Sequence, residues 1–88
     1  MRGLQNAPIV TEIMLLGQTC DEAIYNLEKF LDNCKISGIK EIRIIHGKGT
    51  GVLRAGIHQL LKKNRSVKAF RLGNFGEGEA GVTIAEIK

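Results

Sequence analysis

Between Ile44 and Arg54 the chain reads IIHGKGTGVLR, with Gly47, Gly49 and Gly51 alternating with Lys48 and Thr50. Glycine loses more backbone freedom on ordering than any other residue, so glycines at every second position weaken both a helix and a strand. This stretch therefore has to be a connection, and the apolar segments beside it have to be separate elements. Upstream, Glu41 to His46 (EIRIIH) alternates, which places Ile42, Ile44 and His46 on one face of a strand. Downstream, Val52, Leu53, Ile57, Leu60 and Leu61 recur at helical spacing. That helix closes on Lys62-Lys63-Asn64, with its cations at the end its dipole favours, and Gly56 is a weak point within it. The spacing predicts a strand, a glycine turn and a helix.

The rest of the chain divides by the same rules. Ile9 to Leu16 (IVTEIMLL) is apolar on both alternating faces, which predicts a central strand covered on both sides. Thr19-Cys20-Asp21-Glu22 has the form of a capping box, Thr19 at the N-cap and Glu22 three residues on. Ala23, Ile24, Leu27, Phe30, Leu31 and Cys34 then keep helical spacing as far as Gly38, a natural terminator. Val67 to Leu72 and Val82 to Ile87 read as two further strands, joined by GNFGEGEAG, a long mobile hairpin loop. The first eight residues, MRGLQNAP, read as a linker or ragged start, and 9–88 as one domain. The order strand-helix-strand-helix-strand-strand predicts an α/β fold with a mixed four-stranded sheet, its first strands parallel and its last antiparallel.

Composition narrows the function classes. At 88 residues, 43% hydrophobic and 25% charged, the chain is an ordinary single globular domain. Its aromatics are Tyr25, Phe30, Phe70 and Phe75, too few for a base-stacking platform. A formal charge of +4 is compatible with a nucleic-acid or ribosomal partner. Cys20 and Cys34 fall in one helix at a separation of ~21 Å, too far for a disulfide, and reduced thiols suit the cytoplasm. No apolar run reaches spanning length and no signal-peptide pattern follows Met1-Arg2, so no membrane partner is expected.

A glycine turn between a strand's end and a helix N-terminus is where α/β folds bind anions, because first-turn N–H groups point outward and the dipole favours negative charge. Lys48 and Arg54 add a mobile and a planar cation there. Neither the Walker loop nor the dinucleotide fingerprint matches the glycine spacing. A tight connection is the plain alternative. His46 is either a satisfied histidine at a strand end or, projecting toward the loop, an acid, a base or a phosphate donor. His58, four residues after Arg54, reads as a solvated surface residue, with a place on the same helix side as Arg54 as the alternative. Glu77 and Glu79, on a glycine-rich loop, suit solubility better than metal binding, and no metal ligands are assigned.

The run IIHGKGTGVLR, then VKAFRLG, then GEGEAGVTIAEIK resembles the Smr (small MutS-related) domain, in the form found at the C-terminus of the second bacterial MutS paralogue. The resemblance covers the chain from Ile9 onward. It implies a two-layer α/β sandwich similar to the C-terminal domain of translation initiation factor three. It also implies DNA nicking, with RNA cleavage or binding in some relatives, in a cytoplasmic, dimeric ATPase whose upstream domains lie outside these residues. The family's His-Gly-x-Gly motif falls on His46, Gly47, Lys48 and Gly49. An earlier Leu-Asp-x-His/Arg-Gly motif falls on Ile13 to Gly17, where Met14 stands at the aspartate position and Leu16 at the basic one. By parity those two share a strand face, so an ionisable pair there has become apolar.

The resemblance thus implies a nicking endonuclease domain acting on branched or duplex DNA or on ribosomal RNA. His46 is the catalytic candidate, and Gly47, Lys48, Gly49, Thr50, Gly51 and Arg54 are the nucleic-acid-binding ones. The cofactor is unassigned, with room for a divalent metal in cleavage. The alternative is a DNA-junction or ribosomal-RNA binding module without nuclease activity.

Overall fold

The computed structural model describes residues 11–88. The expected linker at 1–8 and the start of the first strand at Ile9 lie outside the described residues. β1 (Thr11–Met14) leads through a turn into α1 (Cys20–Ser37), then β2 (Glu41–Ile45), α2 (Val52–Lys63), β3 (Val67–Leu72) and β4 (Val82–Ile87). Both helices pack on one face of a four-stranded sheet. Ala23, Leu27, Leu31 and Cys34 of α1 and Ile57 and Leu61 of α2 meet Ile42, Ile44, Ala85 and Ile87 of the strands in a single core. The two layers, the mixed sheet and the element order are those the sequence predicts.

Local chemistry sets the helix ends. Thr19 Oγ1 accepts from the Glu22 N–H at 3.2 Å, and Glu22 Oε1 accepts from the Thr19 N–H at 3.0 Å, so the capping box is closed in both directions. Asp21 and Glu22 add negative charge in that first turn. At the other end Gly38 adopts φ 76°, and its N–H caps the Cys34 and Lys35 carbonyls. Cys20 and Cys34 are both free thiols, and burial pushes the Cys34 thiol up.

Strand order departs from a simple reading of the chain. The sheet runs β1-β2-β4-β3. β1 pairs parallel with β2, while β4 is antiparallel to both of its neighbours. β1 pairs with β2 alone and is an edge strand, and with both helices on one face of the sheet it is covered on one side, unlike the central, doubly covered strand predicted from its apolar pattern. Only its core side is covered. Leu15 is buried, whereas Met14 and Leu16 are 57% and 56% exposed on the face away from the helices. The interior positions belong to β2 and β4, and of β4 only Glu86 is exposed.

That open face is partly roofed by the β3–β4 loop. Gly78 stands directly against Val82, and the Arg43 guanidinium donates to the Glu77 carbonyl at 3.2 Å. Arg71 grips the Glu77 carboxylate with both terminal guanidinium nitrogens, at 2.8 and 3.3 Å, and holds its pKa down at about 2. A single 3₁₀ turn, Glu79–Gly81, delivers the chain to β4. Expected as a mobile hairpin, the loop folds back and is pinned, because two arginines on the sheet find acceptors in it. Val82 and Ile84 are left only 5% and 4% exposed on the outer face.

Candidate functional site

The site grows from the C-terminal ends of β1 and β2 and the start of α2. β2 ends at Ile45, and the His46 and Gly47 N–H groups both donate to the Gly81 carbonyl, at 3.1 and 2.9 Å. This shared acceptor ties the glycine loop to the entry of β4. Gly47, Gly49 and Gly51 all have positive φ, at 83°, 31° and 88°. A side chain at Gly47 would be strained by its φ and would press on Leu16 Cδ1. Gly47→Ala is therefore expected to cost about 1–2 kcal/mol, the penalty of an L residue in a left-handed conformation, read as a lower denaturant midpoint. The exposed Leu16 side chain can move aside, so the backbone term dominates. Gly51 lies under the Arg54 guanidinium, and a Cβ there would meet a terminal nitrogen of Arg54 at 2.9 Å.

The two helix N-termini contrast. α1 is closed by its own side chains. α2 begins at Gly51 with no side-chain cap and no acidic residue in its first turn. Thr50 Oγ1 approaches the Val52 N–H at 3.4 Å, at the edge of hydrogen-bonding range. The positive end of α2 is thus left without a counter-charge of its own.

Every sequence-predicted site residue lines one hollow of about 300 Å³. His46, Gly47, Lys48, Gly49, Thr50, Gly51 and Arg54 share it with Gln18, Thr19, Cys20, Val52 and Leu53. Lys48 Nζ is exposed and lies 3.9 Å from Glu79 Oε1, a loose pair that a phosphate could displace. A larger groove of about 460 Å³ runs between α1 and α2 and includes none of these residues. Among the described residues no group of three or more His, Cys, Asp or Glu side chains could hold a metal ion.

His46 is 5% exposed and lies on the core face with Ile42 and Ile44. Its Nδ1 is 2.9 Å from the Gly47 carbonyl and its Nε2 is 2.7 Å from Thr83 Oγ1. His58, expected on the solvated surface, is instead half-buried, its Nε2 2.7 Å from the same hydroxyl and its ring 4.9 Å from that of Phe70. The fold turns that side of α2 toward β3 and β4. Thr83 and His58 are the residues that sequence reasoning missed. The available signal was parity, since Thr83 alternates with Ala85 and Ile87 and is the one polar side chain among those inward positions of β4.

Burial lowers the pKa of both histidines. For His46 the Gly47 carbonyl opposes that fall, while the Arg54 charge adds to it. For His58 the charges of His46, Arg54 and Lys62 reinforce it. Below the ordinary value of 6.5 the unfolded chain takes up protons that the folded chain resists. The stabilisation is complete above that value and is lost as pH falls toward the folded pKa values. Acidification from pH ~7.5 to ~5 is expected to lower the thermal midpoint, and His58→Gln to flatten that slope.

Comparison with known proteins places this arrangement. The Smr domain family model matches residues 13–88. Endonuclease MutS2 of Acetivibrio thermocellus is 55% identical over 80 residues, covering 91% of this chain, and that of Clostridium tetani 47% over 85 residues, covering 97%. The chain spans about a tenth of the length of these relatives, 10% and 11%. The crystal structure of the Smr domain of Thermus thermophilus MutS2 superposes with a TM-score of 0.88 at 35% identity, covering 90% of this chain and 99% of that one. YdaL of Escherichia coli, a stand-alone small MutS-related protein, shares the fold at a TM-score of 0.85 and 21% identity, covering 97% of this chain and 70% of that one. Among the described residues no helix is long and apolar enough to cross a membrane. On the family match, the MutS2 relatives and the shared fold, the chain belongs to the Smr domain family.

Proposed function

We propose that the chain is the nucleic-acid-handling domain of a MutS2-type protein, working in the cytoplasm beside upstream ATPase domains. Its β2–α2 loop grips a backbone phosphate of DNA. The observation that carries this reading is the uncapped, uncompensated N-terminus of α2, opening with Lys48 and Arg54 into one hollow. Phosphate contacts position a nucleic acid without reading its bases, so recognition is by backbone shape. Nicking at the gripped phosphate, with His46 as acid or base and Lys48 and Arg54 countering charge, is the activity suggested by relatives named endonuclease. A specific observation favours a second reading, docking on DNA junctions or ribosomal RNA without cleavage. Both His46 nitrogens are already bonded within the protein, and Met14 and Leu16 offer no ionisable group.

Supercoiled plasmid, incubated with and without divalent metal, separates the two. Cleavage by His46 predicts a relaxed product whose rate falls about 100-fold or more in His46→Ala, with affinity little changed. Equal modest losses of rate and affinity would identify a structural histidine and leave the docking reading. Lys48→Ala is expected to weaken binding on all sequences alike. A loss confined to one sequence would show that Lys48 reads a base instead.

A further inference from the structure

Phosphate binding at the loop makes no use of Thr83 or His58, yet the two join His46 in a continuous chain behind it. We propose that Thr83 and His58 are positioning residues for His46, the Thr83 hydroxyl acting as a proton bridge that selects the tautomer of each ring and joins the two rings into one titrating unit.

The count of hydrogens carries this. The Gly47 carbonyl can only accept, so His46 Nδ1 holds the proton at that 2.9 Å contact. In the neutral ring Nε2 is then bare and must accept from Thr83. A threonine hydroxyl has one hydrogen, and both Nε2 atoms lie 2.7 Å from its oxygen. With Thr83 donating to His46, His58 must carry its proton on Nε2 and donate to the Thr83 oxygen. Thr83 is fully buried. If both Nε2 atoms carried protons, its hydroxyl would face two donors and lose its acceptor, a cost a buried group does not recover from water.

The same count governs protonation. One added proton can reside on His58 Nδ1 with every bond retained. It can equally reside on His46: His58 Nε2–H passes its proton to the Thr83 oxygen as the Thr83 hydrogen passes to His46 Nε2. Charge and protons balance, and His58 is left neutral as the Nδ1–H form. A second proton breaks the bridge. The surroundings oppose it too. The charged groups acting on the rings are Arg54 and Lys62, both cations of α2. The loop adds Lys48, loosely paired with Glu79, β3 presents Phe70, β4 presents Thr83, and from α1 Cys20 shares the hollow with His46. The ring centroids, 6.1 Å apart, add mutual repulsion. His58, half-buried where His46 is buried, is the route by which His46 exchanges protons with solvent. The bearing of this on cleavage rests on the nicking reading above; the tautomers and the coupling do not.

The test is long-range proton–nitrogen NMR of the imidazoles of the 88-residue chain, from pH ~8 to ~5, without nucleic acid. In the wild type, His46 is expected as the Nδ1–H tautomer and His58 as the Nε2–H tautomer, their signals moving together through a shared first protonation. Thr83→Ser keeps the hydroxyl and should preserve this pattern. Thr83→Val should abolish the shared first protonation, leaving two separate curves coupled only by the repulsion between the rings. Should Thr83→Val fail to fold, His58→Gln serves in its place. The glutamine amide can still donate to Thr83, so His46 should keep its tautomer but titrate as a single site. An Nε2–H tautomer of His46 in the wild type, or titration curves unchanged by both disruptive variants, would overturn the proposal. Intact NMR behaviour together with plasmid nicking that His46→Ala leaves unchanged would refute the cleavage reading alone.

Discussion

Raising the salt concentration tenfold is expected to weaken binding to duplex DNA by about three orders of magnitude, a log–log slope near −3. Each neutralised phosphate releases condensed counterions and contributes about −0.9 to that slope, so the figure corresponds to ~3 phosphates. Lys48 and Arg54 border the hollow, the free N-terminus of α2 adds positive potential, and the chain carries a formal +4. Lys48 is exposed on a glycine-framed loop and Arg54 is held over Gly51, so both can reach a backbone without the fold opening. Lys48→Ala should flatten the slope by about one unit, and titration at several salt concentrations measures it directly. Binding that ignores salt, or its absence at low salt, would remove the phosphate grip as the basis of function.

The isolated wild-type domain is expected to nick plasmid slowly or undetectably while still binding DNA, and Met14→Asp with Leu16→Arg to raise nicking about tenfold or more if the outer face of β1 borders the active site, the acid then supplying proton-transfer capacity. The two positions point to the same, outer face of β1, while His46 points to the core face of β2. They nonetheless converge at the strand ends, because Leu16 packs on Gly47. At 57% and 56% exposure the introduced charges remain hydrated, and the stability change is expected to stay within ~0.5 kcal/mol. A thermal melt alongside the nicking assay checks this. Robust nicking by the wild type, abolished by His46→Ala, would show that no acid at position 14 is needed. A folded double variant with no gain would disconnect that face from the chemistry.

Much of the architecture was legible because its causes are local. The Thr19–Glu22 capping box, the Gly38 terminator and the period of Ala23, Leu27, Leu31 and Cys34 act over three or four residues, and the structure has α1 there. The alternation of Ile42, Ile44 and His46 likewise placed all three on the buried face. The loop's share of the hollow was legible, since Gly47 to Gly51 are consecutive and Arg54 follows three residues on; the share of Gln18, Thr19 and Cys20 was not.

Strand order was not legible, because it depends on which edges pair after the helices have docked. Apolar residues on both sides of β1 suggested burial between two layers, yet both helices docked on one face, β1 took an edge, and Met14 and Leu16 were left exposed on the other face. The histidine chain was hidden for the same reason. His46 and His58 each look separate along the chain, and they meet only through Thr83, which lies 37 and 25 residues away from them. The sequence by itself determined the two helices with the caps of α1, the buried face of β2 and the cationic glycine loop, all products of spacing within a few residues. Only the tertiary structure decided that β4 would lie beside β2, so that a buried hydroxyl reaches both imidazoles and sets where their protons reside.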